Sequence, residues 1–392
     1  MMAIKKFQNV SISGRKIYYF AFLYYYVISF LRFTTFTPVI SINLLSRLSY
    51  LAVLLLLVKI YVFDELKLKK LLVYSTIILL AFISWRHTQA VDILAYTLFV
   101  LGAKGVDFRV IINYFFKIGI IMLLLTIIYS QIGVIRDSVY IRDHFSRHSL
   151  GINYPTDFAA HVCSLIFAYF YLYFKQVSWR SYLSIIVISI ALYLLTQARL
   201  DVIVSLLTIP VMVIAKRAYA GKALSRDIAS FYWIAAPVLS YVTVISAIFY
   251  NSNNYIFQIA NKLVSKRLEI SHLAFNKYGI SLFGKRVIEH GFGGNQGFKQ
   301  FYRSGMETGY FYIDSSFIRL AIIYGLIMLL FVIIVMTLIG MRSTGVRGYC
   351  LAGIMLLLTF NCIIEQHILD ISYNPFLIAL LASNVYYYNL ED

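Results

Sequence analysis

Charge is what this 392-residue chain has least of: Asp, Glu, Lys and Arg together make up 13% of it, against about 25% in an average soluble domain. So few charges cannot cover a water-facing surface, and 61% hydrophobic content excludes a soluble globular protein. There are five prolines and 20 glycines, with no linker-rich or low-complexity stretch and no repeat period, so a single domain over residues 1–392 is predicted. Cysteine is limited to Cys163, Cys350 and Cys362, all inside apolar blocks without CxxC spacing or a nearby His, which argues against a zinc site or a disulfide framework. The N-terminus carries Lys5, Lys6, Arg15 and Lys16 before an apolar run but no small-residue cleavage site, and it is read as an uncleaved first span.

What the chain does have is apolar sequence in blocks of roughly 15 to 25 residues, the length a bilayer requires. Twelve spans are predicted, at about 17–34, 43–63, 71–85, 91–103, 110–134, 155–174, 181–197, 202–215, 229–250, 316–340, 348–364 and 372–388. The fourth is short enough to be a half-helix or re-entrant piece. No ten-residue alternating strands occur, and lipid admits only helices or closed barrels, so the fold class is all-α: a polytopic transmembrane helix bundle.

Short-loop cations set the orientation. With a cytoplasmic N-terminus, the inner loops hold Lys67, Lys69 and Lys70; Lys104 and Arg109; Lys175 and Arg180; Lys216, Arg217, Lys222 and Arg226; and Arg342 and Arg347. Both termini then fall in the cytoplasm. Three outer segments nevertheless carry cations: 135–154 with Arg136, Arg142 and Arg147, the corner at Arg199, and a long external loop, 251–315. That loop holds eight Lys/Arg against Glu269, Glu289, Glu307 and Asp314. Cations gathered on the outer face point to an anionic ligand handled there.

Several residues have two readings. Arg267 falls on the apolar stripe of a helix predicted through 255–277, either as a snorkelling side chain or as a guanidinium gripping phosphate. Asp314, before Ser315 and Ser316, is a helix N-cap or a desolvated general base. In TQARLD, residues 196–201, Arg199 faces headgroups or the bundle interior, or simply pairs with Asp201. Asp157 and His161 share a helix face as a cap with a bundle-facing His, or as a proton relay or a metal pair, though two ligands are too few for a metal site. Glu365 is a second base, a partner for an outer arginine, or, by default, a solvated loop residue. Gly291, Gly293, Gly294 and Gly297 are expected to break any helix among aromatic residues that could stack on sugar rings.

The order of these features resembles the O-antigen and capsular polysaccharide polymerases of the Wzy type, which are similar in plan to O-antigen ligases. The resemblance rests on the many spans, the ARLD corner, the large loop with Arg267 and the phrase YGISLFG, DSSF followed by YGLI, and E-x4-D with NPF near the end. It implies a bacterial inner-membrane glycosyltransferase of capsule or exopolysaccharide synthesis. Such an enzyme moves a growing glycan from polyprenyl diphosphate to the terminal hydroxyl of a new lipid-linked repeat at the outer leaflet.

On that resemblance the catalytic residues are Asp314, Arg199 and Arg267, with Arg147, Arg286 and Glu365 binding substrate. The ligases show a His where this chain has Asp314. No cofactor, metal or nucleic acid is implied; the partners are the lipid-linked oligosaccharide, the bilayer and, as one to look for, a chain-length regulator. A flippase for lipid-linked oligosaccharide and a ligase acting on another acceptor are the competing functions. Few charges inside the spans (Arg47, Lys59, Lys117), no visible half-to-half symmetry and one dominant loop weigh against the flippase.

Overall fold

A helix satisfies its own backbone, so a chain this poor in polar residues folds as helices wherever it would meet lipid. The computed structural model describes residues 13–142, 144–304 and 309–389; Lys5, Lys6 and Glu307 lie outside the described residues. Among the described residues, eight helices are long and apolar enough to cross a membrane. They are Ile42–Phe63, Leu68–Thr88, Phe108–Gln131, Pro155–Gln176, Trp179–Thr196, Arg199–Tyr219, Ala223–Ile248 and Leu326–Gly345. The first described helix, Gly14–Arg32, and the shorter apolar helices Val91–Leu101 and Tyr349–Ile364 pack with them. The described strands form one antiparallel hairpin, β1 (Val139–Arg142) with β2 (Phe145–His148), which pairs Tyr140 with Arg147.

The predicted span at 91–103 is a helix of only 11 residues, and two other predicted spans differ from a simple crossing. Segment 372–388 holds no long helix, only short 3-10 turns at Phe376–Leu380 and Tyr387–Asn389. Pro375 lacks an N–H and disfavours the helical conformation at Asn374. Polar side chains take over the backbone groups: Asp370 Oδ1 accepts from Ser372 N–H at 2.8 Å, and Asn374 Oδ1 from Phe376 N–H at 3.0 Å. Irregular backbone of this kind survives where protein surrounds it, and Ile371 through Ala379 are all buried.

Segment 316–340 is broken. Ser316–Arg319 runs into a π-helical turn, Leu320–Tyr324, then Gly325 adopts φ +95° before Leu326–Gly345 begins. The gap is filled by the YGISLFG phrase. Leu326 N–H donates to Ser281 O at 2.9 Å, Lys285 N–H to Ile323 O at 3.0 Å, and Ser84 Oγ to Tyr324 O at 2.7 Å. The YGISLFG phrase is thus docked by its backbone against the YGLI break.

Among its described residues, segment 251–315 forms three short helices, Tyr255–Leu263, Arg267–Tyr278 and Gly294–Ser304. The continuous helix predicted through 255–277 is interrupted because Ser265 and Lys266 take left-handed φ values of 55° and 67°. Nor do the glycines break every helix: the third begins at Gly294 and contains Gly297, where a Cβ would stand 2.4 Å from Gly291 O.

The two ends of the bundle differ. One gathers basic short loops: Lys59 Nζ donates to Lys104 O at 2.8 Å, Lys216 Nζ to Val177 O, and Arg342 Nη1 to Leu380 O at 2.9 Å. The chain at Ser383 meets Val106 there, so the first and last described segments reach this end. The other end brings together 135–154, the 196–201 corner, 251–315 and 365–370 around a cavity.

A Cβ on Gly284 would lie 1.9 Å from Ile323 O, and one on Gly325 2.3 Å from Gly284 N. Both glycines also have positive φ. Gly284→Ala and Gly325→Ala should each cost at least about 2 kcal/mol, read as a lower melting temperature in detergent. Gly345→Ala, whose Cβ meets nothing within 4 Å, is the control; equal melting of all three variants would contradict this close packing of the two phrases.

Candidate active site

The left-handed break at Ser265 and Lys266 does more than end a helix. It makes Arg267 the first residue of Arg267–Tyr278 and turns its side chain into a cavity of about 960 Å³. There Arg267 Nε lies 3.3 Å from Asp314 Oδ2 and donates to Ile364 O at 2.7 Å, while Nη2 reaches Glu365 Oε1 at 3.4 Å. One guanidinium therefore joins the large loop to the residues before one helix and after another.

Asp314 does not cap the helix that follows it. Ser315 is the N-cap residue, and its Oγ donates instead to Cys362 O at 3.0 Å. Ser316 N–H donates to Glu365 O at 3.0 Å, so 314–316 and 362–365 are fastened along their backbones. The solvated-loop reading of Glu365 is overturned for the same reason: it is 4% exposed and ion-paired.

Burial of this pair has a price in protonation. Burial pushes Asp314 above the ordinary carboxylate range, with Arg267 pulling the other way. Burial and the neighbouring Asp201 push Glu365 well above it, and Arg267 offsets this only in part. Burial opposes the charge on Arg267, yet Asp314 and Glu365 hold it more firmly protonated than a free arginine.

A second group adjoins the first. His367 Nε2 lies 3.3 Å from Asp157 Oδ1 and 3.7 Å from Glu365 Oε2. Its ring stacks on Tyr373 at 3.7 Å between centroids, and Tyr373 stacks in turn on His161 at 3.9 Å. Asp157 and His161 share a helix as the spacing predicts, but Asp157 meets His367 while His161 packs among aromatic rings. Among the described residues, no group of three or more His, Cys, Asp or Glu is arranged to hold a metal.

Arg199 opens the helix Arg199–Tyr219 at the cavity wall, exposed, with no hydrogen-bond or ion-pair partner for its side chain among the described residues. The pair with Asp201 is not formed. Positions two apart on a helix face apart, and Asp201 is 1% exposed with Oδ1 unpartnered. Arg147 also lines the cavity but is committed: Nε donates to Thr196 O at 2.9 Å, docking the hairpin on the corner beside Arg199. Arg286 is the one predicted residue outside the lining. Along 285–289 partly buried residues alternate with exposed ones, and Arg286 and Ile288 face out while Glu289 faces in.

Sequence reasoning passed over two more lining pairs. Arg32 binds Asp92 through two contacts of 2.6 and 3.0 Å, and Arg319 binds Glu289 through two of 2.8 and 2.6 Å. The signal was present, since Arg32, Asp92 and Arg319 are charges at the edges of apolar blocks. Tyr373 gave less notice, being an ordinary residue in an apolar tail, whereas His367 stands in the polar triplet 365–367 that closes the preceding helix.

Removing Arg267 leaves the buried Glu365 and the half-buried Asp314 without their shared cation, a loss of up to about 3–5 kcal/mol. Arg267→Met should therefore melt well below the parent at pH 8, with the deficit shrinking as the pH falls. The sign follows from linkage: without the guanidinium the folded-state carboxylate pKa values rise further, which destabilises above them and is relieved by protonation below them. A deficit that does not change with pH would remove the ion pair from the explanation.

Searches against family models, curated proteins and solved structures return no match to this chain.

Proposed function

We propose that the cavity polymerises lipid-linked glycan, transferring a growing chain from polyprenyl diphosphate to the terminal hydroxyl of a new lipid-linked repeat. The observation that carries this reading is the pairing, in one cavity beside apolar helices, of a half-buried carboxylate with a cation left free. Asp314, with a side chain 22% exposed, is the more accessible of Arg267's two carboxylates, and the Arg199 side chain has no partner among the described residues.

In this reading the acceptor hydroxyl attacks the anomeric carbon of the donor's first sugar, with inversion. The bond to the diphosphate oxygen breaks, its electron pair leaves with the diphosphate, and the hydroxyl proton passes to Asp314. Arg199 stabilises the charge developing on the departing diphosphate, work for which a planar guanidinium is suited. Arg267, already engaged by Asp314, Glu365 and Ile364 O, serves chiefly to hold the base in place; its Nη1 remains to reach substrate. Arg147 acts through the hairpin it anchors.

The test is chain extension in detergent solution by purified protein supplied with lipid-linked repeats. A polymerase lengthens them, whereas a flippase leaves them unchanged. Asp314→Asn and Arg199→Ala should each lower the rate about a hundredfold, on the order of 3 kcal/mol of transition-state stabilisation. A base titrating above the usual carboxylate range places the rising limb of the pH–rate profile there too, since activity appears as Asp314 loses its proton. Full-rate extension by both variants would discard these roles.

A further inference from the structure

The cavity is not uniformly cationic. Asp157, Asp201, Asp314 and Glu365, from four separate segments, all line it. Arg267 contacts two of them, Asp314 and Glu365, so the four carboxyl groups outnumber the one guanidinium in contact with them, and Asp157 is approached only by His367. The other arginines of the lining do not redress this. Arg32 and Arg319 are each held by two contacts to a carboxylate of their own, and Arg147 is turned to Thr196 O. Arg142, Arg199 and Lys266 also line the cavity, but all three stand at its exposed wall.

A second observation points to a ligand. Asp201 Oδ1 and His367 Nε2 belong to cavity-lining side chains 1% and 7% exposed, and neither atom has a hydrogen-bond partner. His367 Nε2 approaches Asp157 at 3.3 Å without completing a hydrogen bond. Buried polar atoms are ordinarily satisfied, so these two mark where donors and acceptors from a bound molecule would be taken up. An anion is disfavoured at this place by the carboxylates around it; hydroxyl, amide or ammonium donors are favoured.

We propose that the acidic part of the cavity is a subsite for a sugar residue that presents hydroxyl, amide or ammonium donors and carries no carboxylate. This deepens the polymerase reading and rests on it: the diphosphate lies toward Arg199, and the adjoining sugar lies over Asp201, Glu365 and His367. Selection against acidic sugars here works by repulsion, as discrimination between similar ligands often does.

The experiment measures binding to the full chain in lipid nanodiscs of two probes, polyprenyl diphosphate linked to N-acetylglucosamine and the same carrier linked to glucuronic acid. The acetamido probe should bind at least about tenfold more tightly, and Asp201→Asn should narrow the gap by improving glucuronate binding. Equal affinities, a preference for glucuronate, or no binding of either probe would overturn the subsite. The comparison on unaltered protein is decisive even where the variant fails to fold. Chain extension measured on the same preparation separates the two readings. Preference without extension keeps the subsite and removes the polymerase; extension with equal binding does the reverse.

Discussion

The arrangement depends on one guanidinium shared between two carboxylates. Arg267 comes from the large loop, Asp314 from just before a broken helix, and Glu365 from just after another. Neither carboxylate could remain ionised at such burial alone, because desolvation would drive a proton onto it. The shared cation makes the cavity a place where a carboxylate can be both half-buried and basic. It also fixes the loop to the bundle.

Around that pair the protein keeps its polar groups committed. Arg32 and Arg319 are matched with Asp92 and Glu289, and the irregular backbone of 370–376 is satisfied by its own Asp370 and Asn374 side chains. Among the described residues the exceptions are the Arg199 side chain, which has no partner, and the buried atoms Asp201 Oδ1, His367 Nε2, Asn153 Oδ1, His161 Nε2 and Tyr373 Oη, which have no hydrogen bonds. Groups left unsatisfied in an otherwise satisfied surrounding are where binding energy remains to be gained.

Most of the helices were legible in the sequence, because long apolar blocks leave the backbone no other way to satisfy itself. The exceptions have local causes. The apolar run at 372–388 hides Asn374 and Pro375, whose conformational demands outweigh hydropathy. The break before Arg267 has no glycine or proline to announce it; Ser265 and Lys266 adopt left-handed φ without such a signal. Of the site, Arg199, Arg267, Asp314, Arg147 and Glu365 share one cavity although up to 218 residues separate them, counting from Arg147 to Glu365. Arg286 does not, because alternation along an extended segment turns it outward, a distinction that depends on register and not on composition. Asp314 looked like a cap because the serines after it make an ordinary helix start, and nothing in the sequence announces the Arg267 guanidinium that the fold sets against it.

The most direct measurement is a double-mutant cycle on chain extension with Arg267→Met, Glu365→Gln and the two combined. Residues acting as one unit lose their effect together. The double variant should be no slower than the slower single, within about threefold. Rate losses that multiply across the two substitutions would show that Arg267 and Glu365 act independently, and the shared guanidinium would no longer explain the site.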